Sequence, residues 1–282
     1  VSDTGFVDRY GPWALVAGAS DGVGAAYARA MAERGLNVAL LARRQAVLDE
    51  VAAAIRADTG VDTRAVAIDL SAHDAMARIV AATDGLEIGM LMYCAGADPN
   101  YEPFLGKPVE VALAMVQRNC VVPMQLCHHF GAPMKARGRG GIVLLSSGAA
   151  LVGAPNMVAY AATKAFDLVM AEALWAELHE EGVDVLGLVL GLTDTPALRR
   201  LLARRGSLAS ADDPTPIPGA TTPAEVVADA IANLPNGPTW FVGEPLRAGA
   251  RQLGALPRGE AVRMMIQMGR VAMDAKRGEE RR

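Results

Sequence analysis

Five apolar residues, Trp13–Ala17, run directly into Gly18-Ala-Ser-Asp-Gly22-Val-Gly24. Residues 25–34 then carry apolar side chains at helical spacing, and Gly35 stops them. A second apolar run, 37–41, follows at once. Strand, glycine-rich turn, helix, strand is the opening unit of a parallel sheet, because parallel neighbours need a crossover between them. Glycines in such a turn let backbone approach a diphosphate, and the first N–H groups of the helix carry positive potential toward it. A glycine turn by itself also fits any tight βα connection. Its place at the head of the first βα unit favours a dinucleotide.

The alternation continues along the chain. Strands are expected at 62–68, 88–94, 142–145, 183–190 and 239–242, with helices at 44–58, 72–83, 109–137, 160–181 and 222–234 between them. Pro123 predicts a kink in the long helix 109–137. Residues 196–220 change character: a short helix with Arg199, Arg200, Arg204 and Arg205 leads into Ser/Asp/Pro-rich sequence, expected as a substrate lid. The tail is expected as loop followed by a helix carrying Met264, Met265, Met268 and Met273, a pattern that suits packing or a subunit contact.

Open parallel sheets bind ligands at the C-terminal edges of their strands, and those edges carry the polar candidates. After the second strand stand Arg43 and Arg44, where a carboxylate would suit a ribose 2′-hydroxyl. Arginines there suit a 2′-phosphate instead. Asp69 ends the third strand, placed either to meet an adenine edge or to cap the next helix. The fourth breaks at Ala95-Gly96, the fifth ends in Ser146-Ser147, and the sixth runs into Gly191-Leu-Thr-Asp-Thr195. Tyr160 and Lys164 lie four apart on a helix, hence on one face. A free tyrosine is a poor base at neutral pH. A fixed cation beside it favours the phenolate, and the phenol can then exchange a proton with a carbonyl or alcohol oxygen. A nearby serine hydroxyl can hold that oxygen.

Composition excludes several alternatives. A net charge of −4, with no basic face interleaved with aromatics, gives no case for nucleic acid or an anionic membrane. No apolar run approaches the roughly 20 residues of a membrane span, and the polar N-terminus lacks the layout of a secretory signal. Cys94, Cys120 and Cys127 sit in apolar contexts without a C-x-x-C pair, as expected of reduced thiols in a cytoplasmic protein. His128 and His129 are adjacent, point apart on a helix, and do not form a metal pair; no metal site is expected.

Over roughly residues 10–243 the chain resembles the short-chain dehydrogenase/reductase family. Gly18, Gly22 and Gly24 match its cofactor motif, Asp69 its adenine-contacting acid, and Asn119, Ser147, Tyr160 and Lys164 its catalytic tetrad. The resemblance implies an α/β fold: a single Rossmann-like, doubly wound parallel sheet of about seven strands flanked by helices, spanning 1–243, with a helical C-terminal extension, 244–282, packed on or next to it. It further implies hydride transfer between a nicotinamide cofactor and a carbonyl or secondary alcohol. Tyr160 would be the acid/base, Ser147 would position the substrate oxygen, Lys164 would bind the nicotinamide ribose, and Asn119 would hold a water linking Lys164 to solvent. The implied cofactor contacts are Gly18, Ser20, Asp21, Gly22, Val23, Gly24, Arg43, Arg44, Asp69, Leu70, Ala95, Gly96, Tyr160, Lys164, Gly191, Thr193 and Thr195. The run from Ser20 to Arg44 is similar to the NADPH-preferring branch that includes 3-oxoacyl thioester and steroid ketone reductases, so NADP(H) is expected over NAD(H). An apolar small-molecule substrate and a homodimer or homotetramer complete the expectation. Two positions depart from the family pattern: Tyr93-Cys94-Ala95-Gly96 stands where Asn-Asn-Ala-Gly is usual, and Leu190-Gly191 where Pro-Gly is usual. The alternative from another class is a catalytically silent dinucleotide-binding sensor or scaffold.

Overall fold

The computed structural model describes residues 4–98 and 100–273. Helix α1 (Thr4–Tyr10) leads into strand β1 (Trp13–Ala17), followed by α2 (Gly22–Glu33), β2 (Asn37–Ala42), α3 (Gln45–Thr59), β3 (Thr63–Ala67), α4 (Ala75–Ala82) and β4 (Ile88–Tyr93). Then come α5 (Val109–Val116), α6 (Val122–Arg137), β5 (Gly140–Ser147), α7 (Val158–Leu178) and β6 (Val183–Leu190). The chain continues through α8 (Pro196–Arg204), α9 (Pro223–Asn233), β7 (Thr239–Phe241), α10 (Glu244–Ala255) and α11 (Arg258–Met273).

The seven strands form one sheet in the order β3-β2-β1-β4-β5-β6-β7, and every neighbouring pair is parallel. The order reverses between β1 and β4, so their two C-terminal ends diverge around a crevice, the usual ligand position in such sheets. The central strands are buried on both faces, as continuous apolar runs such as IGMLMY in β4 require. One face packs Tyr27, Met31, Leu48 and Val226 from α2, α3 and α9. The other packs Leu126, Phe130, Ala171 and Leu178 from α6 and α7.

Gly89 shows why β4 needs a glycine. The register between β1 and β4 jumps from Trp13↔Ile88 to Ala14↔Met90, leaving Gly89 as a bulge. A Cβ there would overlap the Tyr10 and Gly11 carbonyls. The lead-in to β1 passes directly across it.

Several boundaries differ from the sequence expectation. The polar N-terminal lead is a helix, α1, held by a partner 175 positions away: Arg9 donates twice to Asp184, at 2.6 and 2.7 Å, and the Tyr10 hydroxyl donates to the same carboxylate at 2.6 Å. Helix α4 begins at Ala75 rather than 72, and Asp69 is not its cap; Asp69 instead accepts from the Ser71 amide (2.9 Å) and hydroxyl (2.7 Å) in a local turn. The expected loop after residue 244 is helix α10. The long helix 109–137 is broken not at Pro123 itself but one turn earlier, by a π-helical turn, Gln117–Val121. Pro123 has no N–H to give the Asn119 carbonyl, which accounts for the widened turn. The Met273 side chain and the charged end 274–282 lie outside the described residues.

Candidate active site

The π turn and the strand edges converge on the first two turns of α7. Asn119 is fully buried. Its Nδ2 donates to Thr163 Oγ1 (2.9 Å) and to the Gly96 carbonyl (3.3 Å), while its Oδ1 accepts from Arg118 Nε (3.0 Å). Thr163 Oγ1 passes its own proton to the Tyr160 carbonyl at 2.9 Å. From β5, Ser146 Oγ donates to the Lys164 carbonyl (2.7 Å), and Lys164 Nζ donates back to the Leu145 carbonyl (2.7 Å). Helix α7 is thus bolted to β5 and to the π turn across the residues that carry Tyr160 and Lys164. Ser147, at the tip of β5, accepts from the Ala149 amide at 3.2 Å, which leaves its hydroxyl proton to donate elsewhere.

Gly96 locks this cluster to β4. Its φ is +123°, and a Cβ there would lie 2.9 Å from Asn119 Oδ1 and 3.0 Å from Lys164 Nζ. Asn119, Lys164 and Gly96 therefore meet at one point on the sheet edge. Tyr160 is half-buried and lines a cavity walled by Phe104, Val111, Met115, Met157 and Val158, with Asp98, Glu102, Lys107 and Asn156 as its polar members.

The glycine turn forms the opposite wall. Gly18 (φ +89°) passes so close to the end of β4 that a Cβ would sit 2.8 Å from the Ala95 amide nitrogen. A Cβ at Gly24 would overlap the Gly18 carbonyl. No side chain caps α2, since Asp21 makes no bond to its amides. The result is a bare backbone cradle at a helix N-terminus, and it fits the diphosphate of a dinucleotide. Thr195 faces it, with its methyl 3.1 Å from where a Gly22 Cβ would be.

At the β2 edge, Arg44 reaches back to Ser20 Oγ (3.4 Å) and Asp21 (3.1 Å), and Arg200 of α8 meets Asp21 from the other side (3.2 Å). Arg43 is exposed and lies within electrostatic reach of Asp69 and Arg118. The Ser71 hydrogen bonds, with smaller help from Arg43 and Arg118, hold the Asp69 carboxyl below the usual carboxylate range. Val23 and Leu70 turn their side chains into the core, so only their backbones face outward. Thr193 is buried against Gly191 O (3.4 Å) and Thr221 (3.5 Å), and Thr195 Oγ1 caps α8 by accepting from the Leu198 amide (3.2 Å). Gly191 is exposed at the mouth.

Two residues in the cluster, Arg118 and Asp167, escaped the sequence reading, and a third, Arg200, enters it only as part of the 196–220 lid. Arg118 bridges Asn119 and the Ala97 carbonyl (3.2 Å), and burial pushes its guanidinium down. Arg200 shares Asp21 with Arg44. Asp167 ion-pairs with Lys164 at 2.9 Å, and both side chains are buried. Its spacing of three from Lys164 places the two on neighbouring positions of the helix, but the sequence carried no sign of its burial.

Comparison with known proteins agrees with this geometry. Residues 12–206 match the family model described as short chain dehydrogenase. The chain belongs to the short-chain dehydrogenase family. It is 31% identical over 265 residues to a 7beta-hydroxysteroid dehydrogenase of Clostridium sardiniense, covering 93% of this chain and 97% of that one. A human very-long-chain 3-oxoacyl-CoA reductase is 32% identical over 187 residues, 65% of this chain and 60% of the relative. Among solved structures, a 7beta-hydroxysteroid dehydrogenase superposes with a TM-score of 0.84 at 31% identity, over 92% of this chain and 98% of that one. A short-chain dehydrogenase from Sphingobium yanoikuyae in complex with NADPH superposes at 0.71 and 27% identity, over 88% and 97%. This short-chain dehydrogenase is accordingly an oxidoreductase that moves a hydride between a nicotinamide dinucleotide and a carbonyl or alcohol carbon. The silent-sensor reading is not favoured. No helix among the described residues is long and apolar enough to cross a membrane.

Proposed function

We propose that this enzyme interconverts a ketone and a secondary alcohol on a bulky apolar substrate of the steroid class, using NADP(H). The observation that supports the reading is the position of Tyr160: it lines a cavity together with the apolar Phe104, Val111, Met115, Met157 and Val158 and the polar Asp98, Glu102, Lys107 and Asn156. A largely apolar cavity with a few polar groups, beside one proton-transfer group, suits a large hydrocarbon skeleton with a reacting oxygen. The relatives named for a hydroxysteroid at the 7β position make a 7-ketosteroid the first candidate.

The bound nicotinamide supplies or receives the hydride. The chain's own residues handle the proton and the positions. Tyr160 gives its phenolic proton to the carbonyl oxygen as the hydride arrives, and takes it back in the reverse direction. Ser147 donates a hydrogen bond to that same oxygen. Lys164 holds the nicotinamide ribose and favours the Tyr160 phenolate, and Asn119 fixes the π turn against α7. Gly18, Gly22 and Gly24, with Ser20, Asp21 and the Val23 backbone, cradle the diphosphate. Asp69 and the Leu70 backbone contact the adenine, while Ala95, Gly96, Gly191, Thr193 and Thr195 border the nicotinamide half. Arg43 and Arg44 take the 2′-phosphate, with Arg44 next to Ser20 and its competing acid Asp21 partly neutralised by Arg200.

Exposed Val109, Leu113 and Val116 on α5 and Val169 on α7 leave an apolar face suited to pairing as a homodimer or homotetramer. The free thiols Cys94, Cys120 and Cys127 suit a cytoplasmic location. The test is NADPH consumption with a panel of 7-ketosteroids, 3-oxoacyl thioesters and small ketones. Turnover of the steroids well above the others supports the reading. Preference for thioesters or small ketones overturns the substrate class.

A further inference from the structure

Asp167 lies one helical turn beyond Lys164 on α7, and the two side chains are 1% and 4% exposed. Lys164 Nζ spends one of its three donors on the Leu145 carbonyl and a second on Asp167 Oδ2. The third is left for the side where Gly96 and Asn119 meet. Asp167 Oδ1 has no hydrogen-bond partner, an uncommon state for a buried carboxylate oxygen. Nothing in the packing of α7 requires an acid at this position; Ala171, one turn on, is in the apolar core.

The other groups facing this pair are neutral at working pH. Cys120 from the π turn, Cys127 from α6 and Tyr93 from β4 face Asp167, and Cys94 and Cys120 face Lys164. Burial pushes Cys120 up to about 11 and Cys127 up to about 12, and also raises Cys94 and Tyr93 well above their ordinary values. The Tyr93 hydroxyl donates to the Arg118 carbonyl, and the Arg118 guanidinium lies in the direction of Asp69, Arg43 and Asp98. Asp167 and Lys164 therefore form a nearly isolated ion pair on α7, with Lys164 one helical turn beyond Tyr160.

We propose that Asp167 is a positioning residue for the reaction: it pins the Lys164 ammonium and offsets part of its charge, so that Tyr160 stays protonated to higher pH. Burial raises the Asp167 carboxyl and the Lys164 ammonium offsets part of that. With Asp167 ionised, the trio of the buried Asp167–Lys164 pair and the half-buried Tyr160 is neutral while the phenol keeps its proton, and becomes anionic when the proton leaves. Without the carboxylate the trio begins cationic and becomes neutral on losing one proton. Low-dielectric surroundings favour the neutral state in each case. The first proton of the Tyr160–Lys164 pair is thus held more tightly with Asp167 present, whichever of the two groups loses it. The consequence is an active site biased toward proton donation, hence toward carbonyl reduction.

The inference rests on Tyr160 being the acid/base, so its test must separate the two. Tyrosinate ultraviolet absorbance is titrated for the wild type and D167N, each against its Y160F counterpart, with and without NADP⁺. The difference isolates Tyr160 and needs no substrate. D167N keeps an acceptor for Lys164 and removes the charge. A charge several ångströms away at an effective dielectric near 20 is worth roughly one pH unit. The D167N midpoint is therefore expected about one unit lower, and the rising limb of kcat/KM for alcohol oxidation should move with it. An unmoved midpoint, or a shift to alkaline pH, overturns the inference, and D167S serves as a second carrier of the same prediction. Failure of both variants to fold would assign Asp167 to the fold and also overturn it. Turnover by Y160F alone would instead overturn the acid/base role, independently of the titration.

Discussion

At the scale of single residues, the cofactor wall and the reacting wall are built differently. The reacting wall is rigid: Asn119, Ser146, Thr163 and Lys164 exchange hydrogen bonds of 2.7 to 3.3 Å with backbone carbonyls or with each other. The wall for the adenine end is made of exposed charges that compete for one another, Arg44 and Arg200 for Asp21. Such exposed pairs contribute little to stability, which leaves them free to rearrange around a phosphate. If Arg44 and Arg43 read the 2′-phosphate, Arg44→Ala and Arg43→Asp should each raise the KM for NADPH by ten-fold or more, a cost of at least ~1.4 kcal/mol. The KM for NADH should change little. Steady-state kinetics with both cofactors decides it, and an unchanged NADPH/NADH ratio in both variants removes the assignment.

At the scale of elements, the periodicity of the chain carried most of the sheet. Strand β1 begins and ends where its apolar run does, and β6 likewise. Ser147, Tyr160 and Lys164 stand out in the sequence because a strand tip and one helix face are places that local spacing defines, whereas Asn119 lies in the π turn and is singled out by the resemblance. Helix α1 was not legible, because what orders seven residues there is Asp184, distant in sequence. The break in 109–137 was misplaced by a turn because proline disturbs the carbonyl four residues before it and not its own position. Asp167 went unread for a related reason: its significance lies in burial, which spacing alone does not report. The bulge at Gly89 belongs to the same class. Gly89→Ala would force backbone apart under β1, and should cost about 1–3 kcal/mol by overpacking. In a chain of this size that lowers the melting temperature by several degrees. Thermal unfolding of the variant measures it, and a melting temperature equal to the wild type would mean that β4 accommodates the methyl by shifting.

At the scale of the whole molecule, the N-terminal helix is joined to the far side of the sheet by Arg9, Tyr10 and Asp184. Burial first, and then Asp184, raises the Tyr10 phenol above its ordinary value. The folded state thus holds this proton when the unfolded chain has lost it. The sign follows: the contribution is complete below the unfolded value of about 10 and is lost as pH rises toward the folded one. Tyr10→Phe should cost on the order of 1 kcal/mol at neutral pH, from the lost hydrogen bond to Asp184. It should also flatten the decline of stability above pH 10. Denaturant melts of the two proteins between pH 8 and 11 test both parts, and parallel declines would contradict them. The sheet, so anchored, presents the ends of strands β1 to β6 and the N-terminal turns of α2 and α7 to a single crevice. Within that crevice the chemistry is assigned to one phenol. Turnover and NADPH binding by Tyr160→Phe test that assignment most directly. Retained binding of NADPH with kcat reduced at least a thousand-fold is the expected result, and turnover within ten-fold of the wild type would contradict it.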